Sequence, residues 1–234
     1  MHPSASPSSA ALPAVPHARQ RRKEARPQEL QAAALTLFVE KGYAATRIEE
    51  VAQHAGVSKG TLYLYYPNKE ELFKAVVRQN LSGLIAEGQE MVDQYEGKSA
   101  DLLVDLMGLW WQRVAGTPAA GIHKIVLSEV RNFPELAQFY ADEVIIPADR
   151  LFTSCLQRGI DRGEFRSLPL HEAAQALMAP MIFMSLVQHS YGCCPIQGGN
   201  PVEPEQVLRV NLELILRGLE VRAPAAAAAS GGTP

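Results

Sequence analysis

Three short stretches carry residue types and spacings that bear on chemistry. Gly56-Val57-Ser58-Lys59-Gly60 has the G-x-S-x-G spacing of a hydrolase nucleophile elbow, in which a strand delivers the serine to a strained turn. His189-Ser190-Tyr191-Gly192-Cys193-Cys194 supplies three soft donors, His189, Cys193 and Cys194, of the kind that hold zinc or copper or respond to thiol oxidation. Lys59-Gly60-Thr61-Leu62-Tyr63-Leu64-Tyr65 interleaves a cation, a hydroxyl and tyrosines with small and apolar residues, a mixture suited to phosphates and base edges.

The surrounding elements decide among these readings. Nearly every segment between the termini carries a 3.6-residue apolar period, and no stretch sustains the alternation of a strand, so the chain is expected to be all-α. Without a preceding strand the elbow cannot be built; Ser58 is explained as a helix cap, and no catalytic residue is expected. A metal- or thiol-responsive site at His189, Cys193 and Cys194 stays open as the alternative, although a fourth ligand is not evident nearby. Otherwise no metal or cofactor is implied.

Leu30, Ala34, Leu37 and Phe38 line one face of a first helix that should stop at Lys41-Gly42. Thr46-Arg47-Ile48-Glu49 has the Thr-x-x-Glu form of a capping box and opens a short helix with Ile48, Val51, Ala52 and Ala55 inward. Gly56 ends it, Val57 plugs the angle, and Ser58 caps a third helix whose Leu62 and Tyr66 point inward. That order is a helix-turn-helix, with Ser58 to Tyr65 as the helix offered to the major groove. Its outward face is Gly60, Thr61, Tyr63 and Leu64, led by Lys59. Lys59 suits guanine O6 and N7, Thr61 or Leu64 a thymine methyl, and Tyr63, Tyr65 and Lys69 suit phosphates. Gly60 lets the helix start come close to the bases.

Charge agrees once it is divided by region. The 234 residues carry a net charge of −3, which gives no sign of a nucleic-acid partner, yet His17 to Asn80 holds 11 basic and 7 acidic residues, leaving +4 there and −7 elsewhere. A basic head on an acidic body is expected when one end meets a polyanion. The basic run Arg19-Gln20-Arg21-Arg22-Lys23 is either a minor-groove or phosphate contact or a solvated leader.

At Gly56-Val57-Ser58-Lys59-Gly60-Thr61-Leu62-Tyr63-Leu64-Tyr65-Tyr66-Pro67-Asn68-Lys69-Glu70-Glu71-Leu72, the chain resembles the TetR family of bacterial one-component repressors. Phe38-x-x-x-Gly42-Tyr43-x-x-Thr46 fits the same pattern, and the resemblance spans roughly Gln28 to Val77. It departs at Leu64, where His is frequent, at Tyr66, where Phe is usual, and at Arg47, which either contacts phosphate or is a solvated helix start. The resemblance implies an all-helical homodimer with a three-helix DNA-binding head and a ligand-sensing body of about six helices. By family analogy Thr46, Tyr63, Tyr65 and Lys69 would touch phosphates of an operator duplex, and Lys59, Gly60, Thr61 and Leu64 would lie against bases. SEVRNFPEL is similar to the body of AcrR-like, efflux-associated members, which favours a drug-like or lipophilic effector.

The domains are then a tail over 1–20, a DNA-binding head over 21–75, a ligand-binding and dimerisation body over 76–222 and a second tail over 223–234. Four prolines among the first 16 residues and the closing APAAAAASGGTP are the basis for the tails. Long apolar helices are expected over Leu170 to Ser190 and Glu203 to Arg222. The apolar run Ala173 to Val187 is 15 residues with Pro180 inside it, against roughly 18 to 20 for a bilayer span, and is expected to be a helix buried on all sides. Leu208, Leu212, Ile215 and Leu219 form a stripe expected to pair with a second copy across a two-fold axis. Trp110, Trp111, His123, Phe139, Phe152, Met178, Met181 and Met184 are the candidates for an effector pocket, with ordinary core as the competing reading. Cys155, Cys193 and Cys194 do not make a disulfide framework, no secretion signal is read at the start, and the reducing cytoplasm fits.

Overall fold

The structure, a computed structural model, describes residues 17–129, 131–191 and 203–221. Helix α1 (His17–Lys41) is closed by Gly42, whose φ of 86° is left-handed and whose amide returns 2.9 Å to the Phe38 carbonyl. It begins at His17, inside the stretch expected to be a tail, so the basic run Arg19 to Lys23 is part of the helix. Helix α2 (Ile48–His54) ends at Gly56, with φ 66°, and the Val57 amide bonds back to the Ala52 carbonyl at 2.9 Å. Ser58 caps α3 (Lys59–Tyr63), its Oγ accepting from the Thr61 amide at 3.1 Å, and Asn68 caps α4 (Lys69–Val77) in the same way at 2.8 Å.

Helix α4 runs through a π-turn, Arg78–Ser82, into α5 (Gly83–Gln94). Helix α6 (Ser99–Trp110) ends in a second π-turn, Trp111–Ala115, followed by a 3₁₀ turn at Pro118–Ala120 and α7 (Gly121–Glu129). Helix α8 (Pro134–Tyr140) joins α9 (Ile146–Asp161) through a third π-turn, Ala141–Ile145. That turn closes just before Pro147, and its wider winding accommodates a residue with no amide to donate. Helices α10 (Leu170–Tyr191) and α11 (Pro204–Leu219) complete the body. With π-joined pieces counted once, nine helical rods stand among the described residues; these contain no strand, only the isolated bridge between Phe165 and Glu220.

Two hydrophobic clusters hold the rods together. The first joins the head to part of the body: Leu30, Leu37, Phe38, Val51, Leu62 and Phe73 are continuous with Ile122, Val126, Tyr140 and Val144 of α7, α8 and the third π-turn. The second lies wholly in the body, around Leu102, Leu106, Phe152, Leu156, Leu177 and Met181. Helix α10 is not covered on all sides. Its 21-residue stretch Leu170–Ser190 has the length and composition of a membrane span, and here one face packs on α7, α9 and α11 while Ala176, Ala179 and Phe183 lie exposed.

Candidate nucleic-acid interface and body cavity

The exposed rim of the head is built by α3. Leu62 is fully buried and Tyr66 nearly so, which turns Lys59, Gly60, Tyr63 and Leu64 outward, Leu64 with 84% of its surface free. Thr61 is half-buried, its hydroxyl 2.8 Å from that of Ser58. The Lys59 ammonium lies 2.5 Å from Glu49 Oε1 at the start of α2, and this partner holds its pKa above the ordinary lysine value. Contact with a base would therefore open an exposed ion pair, which costs little. Arg47 is exposed at the N-cap of α2.

Two expected phosphate contacts are placed differently. Thr46 is 1% exposed, and its hydroxyl lies 2.7 Å from the Gly42 carbonyl and 3.2 Å from that of Leu37. With that oxygen committed to the end of α1, only the reciprocal half of a capping box forms, one residue on, with Glu50 accepting from the Arg47 amide at 3.1 Å. Lys69 Nζ donates to the carbonyls of Tyr43, Ala44 and Thr46 at 2.8, 3.2 and 3.1 Å, with the Tyr43 ring 4.5 Å away, so its three N–H groups staple the loop before α2. Burial lowers its pKa from the usual value. Tyr65 is half-buried against the first cluster. The hydroxyl that distinguishes Tyr66 from phenylalanine accepts from Gln31 Nε2 at 2.8 Å and lies 3.4 Å from the Pro27 carbonyl.

A cavity of about 650 Å³ lies in the body, lined from both clusters: Leu81, Val126 and Val144 belong to the first, Leu106, Leu151 and Phe152 to the second. Of the expected lining residues it brings together Trp110, His123, Phe152, Met178 and Met181. Trp111, Phe139 and Met184 are not on it. Trp111 and Met184 pack into the second cluster, and Phe139 lies on the first beneath the Arg78 guanidinium, 5.0 Å from its centroid. Sequence reasoning passed over Leu127 and Ile145; like Phe183, they are exposed apolar residues that lie on the cavity lining. Tyr140 is also on the lining, and its hydroxyl sits 2.6 Å from His123 Nδ1. Burial pushes the His123 imidazolium down to about 4 and the Tyr140 phenol up.

Helix α7 connects this cavity to the head. His123, Val126 and Leu127 line the cavity, Gly121 packs tightly under Val39 of α1, and Glu129 Oε1 accepts from the Ala44 amide at 3.0 Å, in the loop that Lys69 staples. The ring of Phe133, just beyond α7, meets that of Tyr43 edge-on at 4.9 Å.

The stripe on α11 is covered by its own chain. Leu208 and Leu219 are buried in the second cluster, and Leu212 and Ile215 pack against it, because α10 lies alongside. The outward face of α11 is instead Val210 and Leu214, the latter 66% exposed. Cys193 and Cys194 lie outside the described residues; His189 stands near the end of α10, its carbonyl accepting from Lys124 at 3.0 Å. Among the described residues no three His, Cys, Asp or Glu side chains gather as a metal site would require.

Comparison with known proteins bears on both parts. Residues 30–76 match the model for bacterial regulatory proteins of the tetR family, and residues 96–191 match that for the tetracyclin repressor-like C-terminal domain. The HTH-type transcriptional regulator YfiR of Bacillus subtilis is 30% identical over 152 residues, 64% of this chain and 73% of that protein. The HTH-type transcriptional repressor KstR2 of Mycolicibacterium smegmatis is 24% identical over 196 residues, 83% and 90% of the two chains. Among solved structures, the transcriptional regulator FadR of Bacillus subtilis, in complex with stearoyl-CoA, superposes with a TM-score of 0.64 at 20% identity, covering 82% of this chain and 99% of its own.

Proposed function

Because the chain belongs to the TetR family of bacterial regulatory proteins, we propose that it is a repressor held on its operator by the α3 face and released by a small, largely apolar effector. Family members are DNA-binding transcriptional regulators, not enzymes, and Ser58 accordingly serves as a helix cap. One observation carries the proposal: the cavity lies in the seam between the two clusters, and the first cluster contains the head.

An effector that enters the seam presses on α7 along His123, Val126 and Leu127, and the two ends of α7 meet the head, through Gly121 and Glu129. Movement of α7 is thus delivered to the loop before α2 and, through the Lys69 staple, to the start of α4. Lys59, Gly60, Thr61 and Leu64 are assigned to base edges, and Arg47, Tyr63 and Tyr65 to phosphates. Thr46 and Lys69 support that surface from below. The stearoyl-CoA complex of FadR supports an effector of lipid character, consistent with a lining free of charged residues.

The working species is a cytoplasmic homodimer. Its exposed apolar faces, Ala176, Ala179 and Phe183 on α10 with Val210 and Leu214 on α11, are the surfaces offered to a second copy. Pairing there sets two α3 helices at successive major grooves, about 34 to 36 Å apart. A mobility-shift assay on the DNA upstream of its own gene is expected to give a specific complex that a lipophilic effector dissolves. A coupling of roughly 1 to 3 kcal/mol between the two sites suffices to change occupancy. Failure to bind that DNA in preference to random DNA at matched salt would remove the reading.

A further inference from the structure

We infer that the first turns of α1, residues 17–26, form a basic arm that grips the phosphates of duplex DNA flanking the α3 contact and supplies the head's long-range attraction to it. This rests on the operator reading of α3 proposed above. His17 to Arg26 holds five Lys/Arg and one Asp/Glu, whereas Pro27 to Asn80 holds six of each, so the +4 of the head belongs wholly to the arm. In the rest of the head the cations are largely spent. Lys41, Lys59, Lys74 and Arg78 are each paired with a glutamate, and Lys69 is held by three carbonyls. A head neutralised in this way exerts little net field on a polyanion, and the arm supplies that field.

Helical register gives the charge a direction. Arg19, Arg22, Lys23 and Arg26 recur at i, i+3, i+4 and i+7 on one face of α1, and the same spacing continues to Leu30, Ala33, Ala34 and Leu37, which are buried against the head. One side of the rod is therefore apolar where α1 lies on the head and basic where it runs beyond it. Arg21 and Glu24 fall outside that face. The junction lies beside the reading helix: Tyr66, just past α3, has its hydroxyl 2.8 Å from Gln31 Nε2 and 3.4 Å from the Pro27 carbonyl. From Pro27 back to Arg19 the helix adds about 12 Å, a length over which a duplex presents about seven phosphate charges. A helix about 10 to 12 Å across does not enter a minor groove about 6 Å wide, and α3 takes the major groove. The arm is thus assigned to phosphates and not to base edges, and its grip is independent of sequence.

Salt dependence of DNA binding by the full-length protein tests the arm, on the duplex upstream of its own gene and on random duplex of equal length. Each phosphate contact adds about 0.9 to the slope of log affinity against log salt. Arg19→Gln with Arg22→Gln and Lys23→Gln removes three charges from each copy, six from a homodimer, and keeps good helix formers in place. The slope is expected to become shallower by about 3 to 5 on both duplexes, with the ratio of the two affinities unchanged. Arg26 is left intact because Glu29 pairs with it at 3.2 Å. Arg21→Gln, off the basic face, should leave the slope within about 0.5 of its starting value. A triple variant with the wild-type slope overturns the inference, and so does one that loses affinity for the upstream duplex alone. Arg21→Gln matching the triple variant charge for charge would mean a diffuse field without a gripping face, and overturns it too. Wild-type protein that shows no preference for the upstream duplex at any salt removes the operator reading, and the arm with it. A preserved preference with an unmoved slope in the triple variant removes the arm alone.

Discussion

In the head, Thr46, Tyr66 and Lys69 all bond within the chain, and Phe38, Tyr43 and Phe73 close on one another with ring centroids 5.2 to 5.6 Å apart. In the body, a cavity of about 650 Å³ separates two clusters, and two histidines, His123 and His189, each keep an unmatched buried nitrogen. The head is packed to keep one shape against DNA. The body is packed to take up a guest, and α7 stands between the rigid part and the compliant one.

The contrast breaks most readily by emptying the head. Phe73→Ala, at 1% exposure between the rings of Phe38 and Tyr43, should cost about 3 to 5 kcal/mol and abolish all DNA binding. Denaturant melts check this, and the half-buried cavity residue Met178→Ala should cost clearly less in the same assay. Filling the seam is the converse test. Ala148→Phe should mimic a bound effector, lowering operator affinity by roughly 1 to 3 kcal/mol while the melt stays cooperative. Unchanged affinity would uncouple cavity from head.

Lys69→Met sharpens the difference between a staple and a phosphate ligand. Losing three donated bonds should lower stability by about 1 to 3 kcal/mol with no DNA present, whereas a lysine serving phosphate alone would leave the melt unmoved. Lys59→Ala should do the reverse, weakening the specific operator by about 1 to 3 kcal/mol with stability inside roughly 0.5 kcal/mol. The smallest effect belongs to the body's surface. Glu164 Oε2 accepts from the Ser99 amide at 2.6 Å, and this bond holds its carboxyl at about 2, below the ordinary 4.5. A lowered carboxyl contributes stability that is full above the unfolded value and lost as pH falls from 4.5 towards 2. Glu164→Gln should flatten that acid limb, at a cost of about 1 kcal/mol at neutral pH.

Much of the head was readable because its determinants are local. Gly42, Gly56, Ser58 and Asn68 act within one turn of their positions, and the inward pair Leu62 and Tyr66 comes from spacing alone. The bonds of Thr46 and Lys69 were not legible, because their partners are carbonyls at the end of α1 and in the loop before α2, whose path no spacing rule specifies. On α11 the periodic stripe correctly indicated a covered face, but periodicity does not say whether the cover is α10 or a second copy. In the body, the π-turns at Arg78–Ser82, Trp111–Ala115 and Ala141–Ile145 rotate the succeeding residues relative to a 3.6 period. Adjacent Trp110 and Trp111, about 100° apart around the helix, part company, one reaching the cavity and the other not. His123 and Leu127, four apart on α7, did carry a legible signal of a shared face.

The seam has a consequence for how such a protein changes over generations. Side chains around the cavity touch fewer neighbours than those of a filled core, so exchanging one for another strains little else. The DNA-reading face of α3 lies on the far side of the head from that lining, and most of those exchanges leave it unchanged. New effector preferences can therefore accumulate by single substitutions while the DNA-reading surface is inherited intact, and one operator can pass from the control of one chemical signal to another.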